Sequence, residues 1–199
     1  MSAMRQPISP RPRARVFFDT YDVRAPLNDP FPPKTYISYL NDPAIQARIG
    51  ANHSYTECSQ SIFAEFGTVT GDLVRSTLPT LTGLVHSGIQ TLLWAGDADR
   101  ICNWYSCMDS MNAIEWAGSN AFRVLPITNC TVHGVVKGTF KTLENLSWLR
   151  VFEAGHLVQA YCKFSIRKGG KNYANHYVEP EVALQVFIQT MRKQAIFYT

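Results

Sequence analysis

No run of about 18 consecutive apolar residues occurs in this chain, so it encodes no membrane-spanning helix and no membrane partner is expected. Acidic residues are missing from two segments that are rich in basic ones. Arg5, Arg11, Arg13 and Arg15 precede the first acid, and Lys163, Arg167, Lys168 and Lys171 sit in the acid-free stretch 162–178. Each segment carries +4 and so does the whole chain, which leaves −4 for everything else. A body of that sign is a poor match for phosphate backbones, and no nucleic-acid partner is expected. The five cysteines are Cys58, Cys102, Cys107, Cys130 and Cys162. Their spacing fits no zinc motif, because Cys102 and Cys107 lack a second pair, so neither a metal nor another cofactor is expected. No apolar core follows the basic residues of Met1–Arg15, so these do not read as a signal peptide. Internal repeats are absent. So is Gly-x-Ser-x-Gly, the strand–turn–helix elbow that exposes a nucleophilic serine.

What is present suits one folded domain. Apolar residues make up 46% of the chain and aromatics 12%, enough for a sizeable core at 199 residues. Residues 1–18, with three prolines and four arginines, read as a poorly ordered basic leader, and 19–199 as the domain. Asp42-Pro43-Ala44-Ile45-Gln46-Ala47-Arg48-Ile49-Gly50 predicts a short helix. Asp42 can cap it, Pro43 suits the first turn because its missing N–H costs nothing there, and Gly50 can close it. Leu78, Leu81, Leu84 and Val85 recur at helical spacing up to Gly88. Ile62, Phe63, Phe66 and Val74 suggest helix broken near Gly67 and Gly71, Met108–Trp116 a helix, and the region between Ala117 and Lys141 strands with turns. Val182–Met191 marks a C-terminal helix. Three sequons occur, at Asn52, Asn129 and Asn145, and fit a secretory route weakly.

Two apolar strands frame the chemistry. Ile89–Ala95 leads into Gly96-Asp97-Ala98-Asp99, and Trp148–Phe152 leads into Glu153-Ala154-Gly155-His156. Each strand ends in a small turn residue and then a group suited to acid–base work. In open α/β sheets such chemistry collects just past the carboxyl ends of strands. An Asp followed by a His are the last two members of a triad in the order Ser…Asp…His.

Ala95-Gly96-Asp97-Ala98-Asp99 with Ile101-Cys102-Asn103-Trp104, and Leu149-Arg150-Val151-Phe152 with Gly155-His156, resemble the C-terminal part of a fungal serine carboxypeptidase of the carboxypeptidase Y-like kind. Tyr21-Asp22-Val23-Arg24, Tyr39-Leu40-Asn41 and Tyr55-Thr56-Glu57-Cys58 resemble further landmarks of that family. The resemblance implies the C-terminal part of an α/β-hydrolase fold, an incomplete central sheet with flanking helices. It implies that Asp99, not Asp97, is the triad acid and His156 the base, while Asp97 serves a turn or a supporting hydrogen bond. Cys102 would be a buried free thiol, lining the pocket for the side chain before the scissile bond or simply filling core. Leu157 would lie on the leaving-residue side, and Cys58 would have its disulfide partner in an N-terminal half. The expected partners are the C-terminus of a peptide substrate and that missing half of the fold, and the expected location is vacuolar or secreted.

The departures are as specific as the matches. The serine elbow and the glycine-rich oxyanion segment are missing, and Gln159 stands where the family has Pro. Removing 162–178 would bring Glu179-Pro180 close to Tyr161 and restore the family's spacing, so this stretch reads as a non-family insert. The expectation is a serine-type carboxypeptidase fragment, inactive by itself for want of an attacking group. The alternatives are a non-catalytic hydrolase-derived fragment or peptide-binding protein and, against the Ile101–Trp104 context, another α/β-hydrolase such as an esterase.

Overall fold

The computed structural model describes residues 19–27, 34–160 and 180–194. The leader 1–18 and the insert 162–178 lie outside the described residues. Short helices α1 (Thr35–Leu40) and α2 (Pro43–Ile49) come first. The α2 boundaries follow the sequence chemistry. The Asp42 carboxylate accepts from the backbone N–H of Ala44 and Ile45, Pro43 opens the first turn, and Gly50 closes it at φ 72°. Next come α3 (Gln60–Ala64), a π turn (Glu65–Val69) and a 3-10 turn (Asp72–Val74), so the break near Gly67 and Gly71 takes the form of tightened and widened turns. Helix α4 (Leu78–His86) then leads to strand β1 (Thr91–Gly96).

After β1 follow α5 (Trp104–Asn112), α6 (Ser119–Val124), β2 (Thr128–Val132), β3 (Val135–Leu143) and β4 (Leu146–Val151). A 3-10 turn (Val158–Ala160) and α7 (Pro180–Met191) complete the described chain. The sheet order is β1-β4-β3-β2, with β1 parallel to β4 and the other pairs antiparallel. This is a mixed α/β architecture with flanking helices, and β1 is one edge of the sheet among the described residues.

Strand β4 is central, and Leu146, Ser147, Trp148, Leu149 and Val151 are all buried. Covered on both faces, it reads as a near-continuous apolar run. Alternation still sorts its side chains. Leu149 and Val151 pack with Val132, Phe140, Val182 and Val186 on the α7 face. Leu146 and Trp148 pack with Val85, Met111, Ile114 and Phe122 on the face that carries α4, α5 and α6. No helix among the described residues is long and apolar enough to cross a membrane.

Two expectations need correction. Helix α5 begins four residues before Met108, at Trp104, because the Asn103 side chain accepts from the backbone N–H of Ser106 and caps it. The segment Ser119–Val124 is helix, not strand: Phe122 is buried in the α4/α5 cluster while Val124 is 82% exposed, a one-sided helical face. The sequon at Asn145 serves the fold. Its Nδ2 donates to the carbonyls of Val85 and Ile89, both at 2.9 Å, tying the end of α4 to the turn before β4. Asn52 and Asn129 are exposed.

Candidate active site

The parallel pairing of β1 and β4 is what assembles the site. Thr91 lies opposite Leu146 and Gly96 opposite Val151, so the two strands end at one level and release their following loops side by side. The loops join at their bases. Asp97 N–H donates to Val151 O and Ala98 N–H to Ala154 O, both at 2.9 Å. Gly96 permits this approach: a Cβ there would sit 2.1 Å from Ala154 O and 2.4 Å from Gly155 O.

Residues 57 apart in sequence thereby meet. His156 Nδ1 lies 2.9 Å from Asp99 Oδ2. An ionised carboxylate only accepts, so the proton between them belongs to Nδ1, which leaves Nε2 as the ring's acceptor. The other carboxylate oxygen, Oδ1, accepts from the backbone N–H of Ile101 at 2.9 Å and Cys102 at 3.1 Å. Asp99 is therefore buried, 6% exposed, with both oxygens engaged and the chain turning around it. The His156 side chain is one-third exposed, and among the described residues no serine hydroxyl hydrogen-bonds its ring. A buried acid that fixes an imidazole whose outer nitrogen is open is a pair able to take up and deliver a proton.

Asp97 lies beside the pair but does not join it. Its Oδ2 is 3.7 Å from Arg150 Nη2, and the Arg150 guanidinium lies over the rings of Trp104 at 4.0 Å and Phe152 at 5.2 Å. Arg150 thus braces the end of β4 against the start of α5 (Trp104–Asn112). Its bulk between aromatic neighbours was not legible in sequence, since nothing local pairs it with Asp97 or Trp104.

Cys102 sits next to the pair but is not buried. It is a free, exposed thiol, which corrects the expectation of a covered one. Its backbone N–H is held by Asp99, and its Sγ lies within 4.8 Å of donor atoms of Asp99 and His156. Partial desolvation, with the nearby Asp99 carboxylate second, holds the thiol above its ordinary pKa. Leu157, next to His156 in the chain, is 37% exposed. Cys58 is free and exposed, Cys130 is fully buried in the α7-side core, and Cys107 is half-buried with its Sγ 3.7 Å from Cys102 O. Burial raises the Cys107 and Cys130 thiol pKa values.

One trio of metal-capable groups occurs among the described residues, with donor atoms of Asp99, Cys102 and His156 all within 4.8 Å of one another. Sequence spacing could not reveal it, because the third member comes from a different loop. Two of its donors are already spent on each other in the Asp99–His156 hydrogen bond. A concave groove of about 380 Å³ lies elsewhere, between the β2–β3 turn and α7, lined by Val132, His133, Leu184 and Ile188 among others.

A mixed sheet that delivers a buried Asp and an open His past adjacent strand ends defines an α/β-hydrolase type of protein. Comparison with known proteins is narrower. The serine carboxypeptidase family profile matches residues 9–164, so the chain belongs to that family. Carboxypeptidase S1 of Penicillium janthinellum is 44% identical over 182 residues, covering 92% of this chain and 39% of the relative. Carboxypeptidase Y of Schizosaccharomyces pombe is 31% identical over 153 residues, covering 74% of this chain and 15% of the relative. The crystal structure of a prohormone-processing carboxypeptidase from Saccharomyces cerevisiae superposes with a TM-score of 0.54 at 21% identity, over 69% of this chain and 32% of that one. The last likeness shows the fold. The chain spans well under half the length of these relatives.

Proposed function

We propose that this chain supplies the acid and the base of a serine-carboxypeptidase reaction, the release of C-terminal residues from peptides. The observation that carries this reading is the 2.9 Å contact of His156 Nδ1 with a buried Asp99, whose second oxygen holds two backbone N–H groups. His156 takes the proton of an attacking serine hydroxyl through Nε2 and then returns it to the leaving amine. Asp99 fixes the tautomer and stabilises the imidazolium without itself taking the proton. Cys102 and Leu157, beside the pair, contact the residues on either side of the scissile bond.

The serine comes from a part of the fold outside this sequence, so the 199-residue chain alone is inactive. The partner implied is an N-terminal half bearing a serine elbow, and the setting is vacuolar or secreted. The test is complementation. The chain is mixed or co-expressed with the N-terminal half of a relative that bears a serine elbow, and release of the C-terminal residue from a blocked dipeptide is followed. Turnover should appear only in the mixture and vanish with His156→Gln, and a fluorophosphonate probe should label the complementing half alone. With Asp99→Asn, kcat should fall by a factor on the order of 10⁴, the loss other Ser-His-Asp hydrolases show when the acid can no longer fix the tautomer. Failure of every folded mixture to turn over substrate would favour a non-catalytic, peptide-binding role.

A further inference from the structure

The segment Asp19–Ala25 contributes no group to the proposed proton transfers, yet its backbone and the Arg24 side chain hydrogen-bond both loops that carry the pair, and the Tyr21 ring lies 5.2 Å from the His156 ring. Ile101 N–H donates to Thr20 O at 3.3 Å, and Val23 N–H donates to Ala98 O at 2.9 Å. Those two bonds grip the residues on either side of Asp99. His156 N–H donates to Tyr21 O at 2.7 Å, and Arg24 Nη2 donates to Glu153 O at 3.0 Å. Those two grip His156 and the turn that leads to it. The contacts alternate along the segment: Thr20 to the Asp loop, Tyr21 to the His loop, Val23 to the Asp loop, Arg24 to the His loop.

The segment is itself held in shape by its own side chains. Asp22 is buried, 4% exposed. Its Oδ1 accepts from the backbone N–H and the Nε of Arg24, each at 2.9 Å, and its Oδ2 accepts from Arg24 Nη2 at 2.6 Å. Asp19 Oδ1 accepts from Tyr21 N–H at 2.7 Å, Ala25 N–H reaches Asp22 O at 3.0 Å, and Asp19 N–H reaches Ala25 O at 3.2 Å. The carbonyl that Arg24 binds belongs to Glu153, a non-glycine residue at φ 54°, in the left-handed region that such residues rarely adopt. A guanidinium held by a buried carboxylate thus props the strained turn in front of His156. Meanwhile the loop-to-loop bonds from Asp97 and Ala98 lie at the loop bases, and the His156 backbone N–H has Tyr21 O as its partner.

We infer that Asp19–Ala25 is a positioning strap that sets the distance between Asp99 and His156, with Asp22 and Arg24 as its positioning residues. The inference rests on the proposed acid–base role of that pair. A displacement of about 1 Å at such a pair costs roughly 10²-fold in rate. Four hydrogen bonds from one short, self-braced segment restrict that displacement in both loops at once.

The test reads the ring directly. The full chain is made with ¹⁵N-labelled histidine, and the signals of its five histidines are assigned with His156→Gln among other variants. In alkaline buffer, where imidazoles are neutral, nitrogen shifts report which ring nitrogen of His156 carries the proton. The wild-type chain should hold it mainly on Nδ1, facing Asp99. Arg24→Gln and Asp22→Asn should each lower the Nδ1–H to Nε2–H ratio of His156 by about fivefold, the equilibrium worth of one net hydrogen bond, and leave the other histidines unchanged. Arg24→Lys, which keeps a donor for Glu153 O but not the fork, should fall between. Glu115→Gln, which removes the Arg123 partner away from the site, should leave the ratio at the wild-type value.

Folded Arg24→Gln and Asp22→Asn chains with the wild-type ratio would overturn the strap. Should either unfold, the other and Arg24→Lys decide by the same ratio. Collapse of all three would overturn it as well, because the segment would then hold the domain and not the pair. A wild-type ring protonated on Nε2 would sink the acid–base reading itself, whereas a wild-type Nδ1–H indifferent to the strap variants would sink the strap alone.

Discussion

Replacing Gly96 by Ala tests how closely the two loops must pack. The new Cβ would lie 2.1 Å from Ala154 O, 2.4 Å from Gly155 O and 2.5 Å from Ala154 C. All three neighbours are backbone atoms, so no side chain can rotate out of the way. Relief requires the His-bearing loop to move off by about 1 Å, which takes the 2.9 Å bond from Ala98 N–H to Ala154 O beyond hydrogen-bonding distance. Overpacking of this kind costs about 1–3 kcal/mol. The broken bond and the stretched one from Asp97 N–H to Val151 O add about 1 kcal/mol each. The loss of unfolded-state freedom on going from Gly to Ala returns roughly 0.4–1 kcal/mol. A net destabilisation of about 3 kcal/mol is expected, read from urea unfolding as a lower midpoint at unchanged m. In the complemented enzyme kcat should fall about 10²-fold, with KM altered much less. A loss below about 0.5 kcal/mol together with a wild-type His156 tautomer would refute the argument that close backbone approach holds the pair together.

Asn145→Ala removes both bonds from Nδ2 to the Val85 and Ile89 carbonyls, and should cost about 2 kcal/mol by urea unfolding. A variant as stable as wild type would show that α4 is anchored by other means. Lys141 is buried on β3, with its Nζ on Arg123 O at 3.2 Å, and burial holds its pKa below the ordinary 10.5. A folded pKa below the unfolded one means the folded state disfavours the charged form. That penalty is present in full below the folded pKa and disappears above the unfolded one. Wild type should therefore gain stability relative to Lys141→Met as the pH rises from about 7 toward 10.5, whichever is more stable at neutrality. A pH-independent difference between the two urea midpoints would contradict this.

Local chemistry made part of the fold legible. The α2 helix (Pro43–Ile49) is bounded by an Asp cap, a first-turn Pro and a left-handed Gly, each acting within a few residues. The two framing strands stand out as apolar runs, although the ladder places them at Thr91–Gly96 and Leu146–Val151, and only the second is buried along its length while the first, at the sheet edge, is half-buried over Thr91–Trp94. Helix α6 is not legible locally because its cause is distant in sequence. Phe122 is drawn into a cluster with Val85, Met111 and Ile114 from two other helices and a loop. The start of α5 at Trp104 is readable in principle, since Asn103 is a good capping residue.

By itself the sequence determined which residues could do chemistry: Asp99 and His156 stand past strand ends in an order and context that point to one family. It also determined the capped helix and the absence of a serine elbow, because both are matters of residue type at short spacing. Only the tertiary structure decided that these two residues meet. A parallel register aligns the ends of β1 and β4, Gly96 lets the loops touch, and the Thr20–Val23 backbone with the Arg24 side chain bridges them. None of these partners is near the other in sequence. Hydrogen bonds and close packing act over a few ångströms of space, so a contact across 57 residues is fixed by the sheet that brings its ends together.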